Sequence, residues 1–492
     1  MRHLLFSVGL AVCPTLAVSQ QAVPAKLSLA DAIALARSNN PAYRQTLHDR
    51  APAAWGARNA IASAFLPSLT ASGGVGYAGP GQQRFLTQNF SQGVSTVSSN
   101  YNFSLDWTLN GQTLSQPGLK HAQLVAADFD IAGAENGLVT AVTQQYLTVL
   151  EAQDHAAVTR RQFDVNDQSL TLARARYEVG RSSLIDVRSA QVARGQAEVA
   201  LLQAETAVSV EKLRLFQDIG VSAPVEIERV QLTDTFPVTA PPWKMSELLA
   251  LAEAQNPALR ALRAREGAAG WGVKAAASSW GPSLSVSAGW AGFTQKLSDI
   301  NPTLAGIDAN AVGNTQACQY ANSSWLNTGA TPLDCTTYSA AVPAAKQAAL
   351  AQNAAYPFQF TPQPFQARLT ISIPLWGNFQ QPLAVSQATA QQHDLTESVR
   401  ARGLQLQTDV NQAYLTVTTA YRTIAIQDTS RAAGREQLQL ATERYRVGSG
   451  TFVELLNAQL LDLQAETDYV TAVYNYHKSV AALEAAVGRP LR

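Results

Sequence analysis

The sequence predicts a mainly helical protein of long antiparallel helical hairpins, with four barrel-type strands per chain that cannot close on their own. Three observations carry this: an internal duplication, two very long proline-free helical stretches, and four alternating segments placed in pairs between the helices.

The duplication comes first because it sets the frame for the rest. Sliding the chain along itself by 268 positions brings Tyr146–Val149 (YLTV) onto Tyr414–Val417 (YLTV), since 414 minus 146 is 268. The same shift places Arg176, Tyr177, Val179 and Gly180 on Arg444, Tyr445, Val447 and Gly448, and Gly220 on Gly488. Across residues 139–220 no gap is needed, and 24 of the 82 aligned positions are identical. Upstream, Asn40-Pro41-Ala42 corresponds to Asn256-Pro257-Ala258, and Leu66-Pro67-Ser68-Leu69 to Gly281-Pro282-Ser283-Leu284. The expected division is a leader at 1–19, a first repeat at 20–220, a proline-rich linker at 221–242 and a second repeat at 243–488.

Each repeat opens with short helices punctuated by Asn-Pro, with Asn as the N-cap and Pro at the first helical position, where a missing N–H costs nothing. Alternating segments follow: Ser68–Tyr77 and Tyr101–Leu109 in the first repeat, Ser283–Phe293 and Phe365–Leu375 in the second. Their period of two, with Tyr77, Trp107, Trp290 and Trp376 near the ends, fits membrane barrel strands with aromatic girdles. An open four-stranded sheet in lipid leaves edge N–H and C=O groups unpaired at several kcal/mol each, so several copies have to share one barrel. The connecting stretches, about 79–100 and 295–364, are rich in Gly, Asn, Gln, Ser and Pro and read as outer surface loops.

The long helices are expected from about Gly118 to Val179 and from about Leu383 to Val447, roughly 95 Å each at 1.5 Å per residue. Each meets Val-Gly, turns, and returns as a shorter helix ending at Gly220 or Gly488, suitable C-terminal caps. Small apolar residues interleaved with Gln, Thr and Arg give the pattern of coiled-coil walls.

Arg2 and His3, the apolar run Leu4–Val12, Pro14 and Ala17-Val18-Ser19 form a secretory leader, which takes the mature chain out of the cytoplasm. Cys13 has a second reading as a lipidated cysteine, disfavoured by the bulky Val12 before it. Cys318 and Cys335 then remain, and in an oxidising compartment they are expected to form one loop-stapling disulfide. No stretch of eighteen apolar residues follows the leader, so a membrane crossing has to use strands. With 36 basic and 36 acidic side chains there is no field to gather nucleic acid. Six scattered histidines, no nucleophile elbow and no phosphate-cradling loop argue against an enzyme, a cofactor or a metal site.

The duplicated frame and the paired turn segments Tyr177-Glu178-Val179-Gly180-Arg181-Ser182-Ser183-Leu184-Ile185-Asp186-Val187 and Tyr445-Arg446-Val447-Gly448-Ser449-Gly450-Thr451-Phe452-Val453-Glu454-Leu455-Leu456-Asn457-Ala458 resemble the TolC-like outer-membrane efflux proteins. The resemblance covers nearly the whole mature chain. It implies a homotrimer whose twelve strands close one barrel in outer-membrane lipid, continued by a periplasmic tunnel of twelve helices. It also implies a passive channel of a tripartite efflux or type I secretion system, docking onto a periplasmic adaptor (membrane fusion) protein and, through it, an inner-membrane pump. Carried over by position, Val179, Gly180, Val447 and Gly448 match the adaptor-docking tips. Tyr445 and Asp186 match partners in the lock that holds the tip shut, while Glu454 and Asn457 match acidic positions ringing the constriction, where three Glu454 carboxylates favour cations.

Two departures weaken that lock. Gly450 stands where relatives with the tightest lock carry arginine, and Asn457 where a second acid occurs, so Arg181, Arg188, Arg444 or Arg446 are candidate substitutes. The simpler reading of Asp186 and Glu454 is an acid favouring a helix N-terminus. The rival function is a soluble periplasmic coiled-coil adaptor, which explains hairpins but not two hairpins alternating with strand pairs. The sequence has no Met or His cluster pointing to a metal path, which tilts the cargo toward small molecules.

Overall fold

The computed structural model describes residues 26–85, 88–325 and 331–491; the leader and Cys13 lie outside them. In chain order the elements are β1 (Lys26–Leu27), α1 (Leu29–Asn39), α2 (Pro41–His48), α3 (Arg50–Phe65), β2 (Ser68–Ala78), β3 (Gly81–Phe85), β4 (Gln88–Gln92), β5 (Thr96–Leu109), α4 (Gly111–Glu178) and α5 (Leu184–Ile219). Then come β6 (Gln231–Leu232), α6 (Met245–Gln255), α7 (Pro257–Ala277), β7 (Ser283–Leu297), α8 (Asn301–Trp325), α9 (Thr336–Ala340), α10 (Val342–Ala354), β8 (Thr361–Pro362), β9 (Gln366–Ser372), α11 (Gln380–Val447) and α12 (Phe452–Val487). The residues fall into two compact units. One takes the chain up to Trp55, His121–Gly270 and the chain from Ala390 onward; the other is Gly56–Lys120 with Trp271–Thr389.

The first unit holds two helical hairpins, α4 with α5 and α11 with α12. Each is welded by its own apolar core, whose burial contributes about 25 cal/mol per Å². Val142, Tyr146 and Val149 of α4 pack with Leu215, Phe216 and Ile219 of α5 over Ala32 and Ala36 of α1. In the second hairpin Val410, Val417 and Ile424 meet Tyr476, Val480 and Leu483, with Leu248 and Ala252 of α6 beneath. A third core of Leu170, Ala173, Val187, Tyr445, Phe452 and Leu455 joins the two hairpins near their turns. The turns pass through Gly180 (φ 71°) and Gly448 (φ 91°), a left-handed conformation that side-chain-bearing residues adopt at a cost.

The long helices begin earlier than the sequence suggested. Pro117 lies inside α4 and denies the Thr113 carbonyl a helical donor, yet the turn survives because Asn110 caps it: Asn110 Oδ1 accepts from the Thr113 N–H at 2.8 Å. Pro382 falls in the first turn of α11, where no donor is required.

The second unit holds the sheet, in the order β2-β5-β7 with β8 and β9 both on the far side of β7, all antiparallel. The expected loops carry structure of their own. Residues 81–85 and 88–92 pair antiparallel as β3 and β4, and α8, α9 and α10 lie between residues 301 and 354. Alanine-rich runs with few breakers, such as Ala340–Ala351, explain why a stretch read as loop is helical. Cys318 and Cys335 are joined by a disulfide within this segment, their Cα atoms 5.7 Å apart.

Candidate functional site

The sheet register sorts its residues by chemistry. On one face Leu69 lies opposite Leu105, Phe103 opposite Trp290, Trp107 opposite Val286, Leu284 opposite Ile371 and Val286 opposite Leu369. On the other Ser68 lies opposite Asp106, Thr70 opposite Ser104, Ser287 opposite Arg368 and Ser283 opposite Ser372. One face is hydrocarbon and the other is hydroxyl, amide and charge. Leu69, Val75, Tyr77, Trp290, Leu369 and Ile371 stand more than half exposed, far more apolar surface than a water-facing sheet carries. Among the described residues, neither β2 nor β9 has a strand on its outer side. A sheet that is apolar outside, polar inside and open at both edges is a wall segment of a barrel completed by other copies.

At the turns of the first unit, Ser183 and Thr451 cap α5 and α12. Asp186 closes a capping box: Ser183 Oγ accepts from the Asp186 N–H at 3.2 Å, while the Asp186 carboxylate accepts from the Ser183 N–H at 3.1 Å and the Ser182 hydroxyl at 2.8 Å. Burial pulls its pKa up, but these hydrogen bonds, with the Arg176 charge, outweigh it and hold the carboxyl below the usual aspartate value.

Tyr445 does not reach Asp186. Its ring is buried against Phe452, the Arg176 guanidinium of α4 stacks on it at 4.6 Å, and its hydroxyl meets no hydrogen-bond partner among the described residues. The Asp186–Tyr445 pairing carried over from the resemblance is therefore not made within this chain, because the serines of its own turn satisfy Asp186. Glu454 is the third residue of α12, half exposed, with Arg444 at 3.7 Å; it and Asn457 line an open hollow of about 570 Å³ with Arg444 and Leu440. Of the substitute arginines, Arg444 reaches Glu454 and Arg446 pairs with Glu443 on its own helix at 2.7 Å.

Two features escaped sequence reading. The Asn of each Asn-Pro pair does more than cap: Asn40 Oδ1 accepts from the Tyr43 N–H, while its Nδ2 donates to the Asp218 carbonyl at 2.7 Å. Asn256 does the same with Leu259 and the Ala486 carbonyl. Each thus ties the start of a repeat to the end of its returning helix, where a side chain on Gly220 would collide with the backbone of Asn39 and Asn40. The repeated pairing of Asn-Pro with a terminal Gly was the signal available.

The second feature is the seam between hairpins, where α4 faces α12 through a polar ladder. The Glu151 carboxylate accepts from Lys478 Nζ (2.5 Å), Asp154 from the Tyr474 hydroxyl (2.7 Å) and Glu466 from Arg161 (3.4 Å); His155 Nε2 sits 3.2 Å from Thr471 Oγ1; and Gln459 Nε2 donates to Ser169 Oγ (2.7 Å). Glu466 also pairs with Arg435 of α11. Single rungs are read from a sequence only when the facing register is known.

Long paired hairpins with a shared, lipid-facing barrel segment define an outer-membrane channel-tunnel protomer. The sequence profile described as outer membrane efflux protein matches residues 32–221 and 361–489, and the chain belongs to that family. It is 26% identical over 204 residues to the outer membrane efflux protein BepC of Brucella suis, covering 42% of this chain and 41% of that one. To the outer membrane protein TolC of Vibrio cholerae it is 26% identical over 265 residues, 54% of this chain and 58% of that one, so these alignments span about half of each relative. Among solved structures, the outer-membrane channel OprN aligns with a TM-score of 0.69 at 17% identity, covering 94% of this chain and 89% of that one. VceC from Vibrio cholerae aligns with a TM-score of 0.67 at 15% identity, covering 94% and 97%. The fold is that of the TolC-like channel-tunnels, and the place of such a chain is the outer membrane.

Proposed function

We propose that three copies of this chain form a passive export channel of a tripartite efflux system, taking cargo from a periplasmic adaptor and an inner-membrane pump to the exterior. The observation that carries this is the sheet whose four long strands β2, β5, β7 and β9, with the two-residue β8 sharing one side of β7 with β9, have one apolar face, one polar face and, among the described residues, two unpaired edges. Three such sheets supply twelve strands, enough to close around a water-filled bore, whereas four strands enclose nothing. A soluble adaptor has no use for an exposed hydrocarbon face, which disfavours the rival reading.

Within this reading Val179, Gly180, Val447 and Gly448 form the adaptor-docking tips. Glu454 and Asn457 face the narrow axis, and Arg176 stacked on Tyr445 replaces the Asp186–Tyr445 lock. Purified material reconstituted in planar bilayers tests the proposal. It predicts trimers that survive SDS without heating and conduct ions with a cation preference; a monomeric protein that stays in the soluble periplasmic fraction contradicts it.

A further inference from the structure

One rung of the α4–α12 seam leaves buried side-chain oxygens on both sides that meet no donor among the described residues. Three residues back from Ser169 on α4 is Asn166, and three on from Gln459 on α12 is Asp462, which puts the two on the rung between Ser169–Gln459 and Arg161–Glu466. Asn166 Oδ1, Asp462 Oδ1 and Gln459 Oε1 are all buried and meet no hydrogen-bond partner among the described residues. Asn166 is 6% and Gln459 1% exposed, so solvent does not relieve them. The duplication sharpens the point. Shifting back by 268, Asp462 falls on Arg194, Glu466 on Glu198 and Arg435 on Asp167. In the first hairpin Arg194 sits between two acids, 2.8 Å from Asp167 and 2.7 Å from Glu198. The second hairpin has an acid where that cation stood, four residues from Glu466 on one helix, and Glu466 has taken both nearby guanidiniums, Arg161 of α4 and Arg435 of α11.

Unless the Asn166 amide turns its N–H2 to the seam, the donor has to come with another group. A metal cation is opposed by Arg161 and Arg435, which flank the group; a proton on Asp462 turns one acceptor into an O–H aimed across the seam. We propose that Asp462 carries a proton in the closed channel and donates it to the Asn166 amide oxygen, and that releasing this proton to water loosens the seam between the two hairpins. The inference rests on the channel reading above and adds regulation to it. The charged groups facing Asp462 are Glu466 on its own helix, Arg435 on α11 and Arg161 on α4, while Gly434 of α11 packs against its backbone. Burial, and next the Glu466 charge, push its carboxyl above the usual aspartate range, with the two arginines opposing. A folded pKa raised in this way gives stability that is full below the ordinary aspartate value and lost as pH rises through the raised one. Acidity therefore tightens the seam, and higher pH frees it.

The test compares wild type and Asp462→Asn trimers in planar bilayers as pH is raised from about 5 to about 8. Each unit by which the Asp462 pKa differs between closed and open states changes their ratio about tenfold. Wild type is expected to open as pH rises, while Asp462→Asn, uncharged at every pH and still a donor, stays closed with a flat profile. An Asp462→Asn profile that follows wild type overturns the proposal while leaving the channel intact, whereas a wild type that forms no channel overturns the channel reading instead. Should Asp462→Asn not assemble, isotope-edited infrared spectroscopy of protein that keeps Asp462, labelled with ¹³C at aspartate carboxyls, decides. The label is read in an Asp218→Asn background, because burial pushes the Asp218 carboxyl up as well; a protonated-carboxyl band persisting above the ordinary aspartate range then supports the site, whereas ionisation of every remaining aspartate within that range means the Asn166 amide is turned to donate, and the proposal falls.

Discussion

At the residue scale, within one chain Asp186 is held by the short-range hydrogen bonds of its own turn. Tyr445→Phe removes a hydroxyl that bonds to nothing described while keeping the ring under Arg176, so trimer melting is expected to change little; Tyr445→Ala, which strips the ring from a packed core, should cost about 3–5 kcal/mol. A large loss in Tyr445→Phe would mean that the hydroxyl finds its partner in a neighbouring copy. Asp186→Ala removes the capping box and is expected to cost about 1 kcal/mol, read as a lower temperature for dissociation of SDS-resistant trimers. Because its folded pKa is lowered, the Asp186 contribution is complete at neutral pH and disappears as pH falls through the depressed value, so wild type and Asp186→Ala should converge in strong acid. Asn40 and Asn256 each serve a cap and a tie to the returning helix, and Asn256→Ala should exceed the cost of a simple cap, about 2 kcal/mol, by leaving the Ala486 carbonyl unpaired.

At the scale of elements, the sheet faces make a sharper prediction than any single strand does. Leu369 lies on the apolar face of β9 and Thr370 on the polar one, so Leu369→Arg should lower outer-membrane trimer yield strongly, at about 2–4 kcal/mol near the bilayer midplane, while Thr370→Arg assembles normally. Equal yields in fractionated membranes would mean that the faces are assigned wrongly. The strands were legible because a period of two survives in a half-buried ribbon, and the hairpins because their turns repeat at a fixed shift. What was not legible has physical causes. The first long helix, α4, starts before Pro117 because a cap at Asn110 offsets one lost backbone bond, and such compensation leaves no periodic trace. The region between β7 and β9 looked like loop by composition, yet Ala, Gln and Asn in long runs also serve helices, and α8, α9 and α10 form there. The Arg161–Glu466–Arg435 group joins three helices distant in sequence, so only the packing register exposes it.

At the scale of the whole molecule, each hairpin is held by hydrocarbon while the α4–α12 seam between them is largely polar down to the apolar contact at the tip. Apolar cores resist separation in proportion to area, whereas polar rungs exchange their partners for water at a net cost of only about 0.5–1.5 kcal/mol each. The hairpins are thus the rigid parts and the seam the yielding one, with Glu466 the point where three helices are tied at once. Beneath this lies a simpler requirement: a sheet with two edges unpaired among the described residues and a hydrocarbon face is stable in a bilayer only when further copies complete it. The most direct measurement is the mass of the particle released from outer membranes in mild detergent, read by native mass spectrometry. The account predicts three copies, dissociating to one only on heating; a single-copy particle inserted in lipid would contradict it.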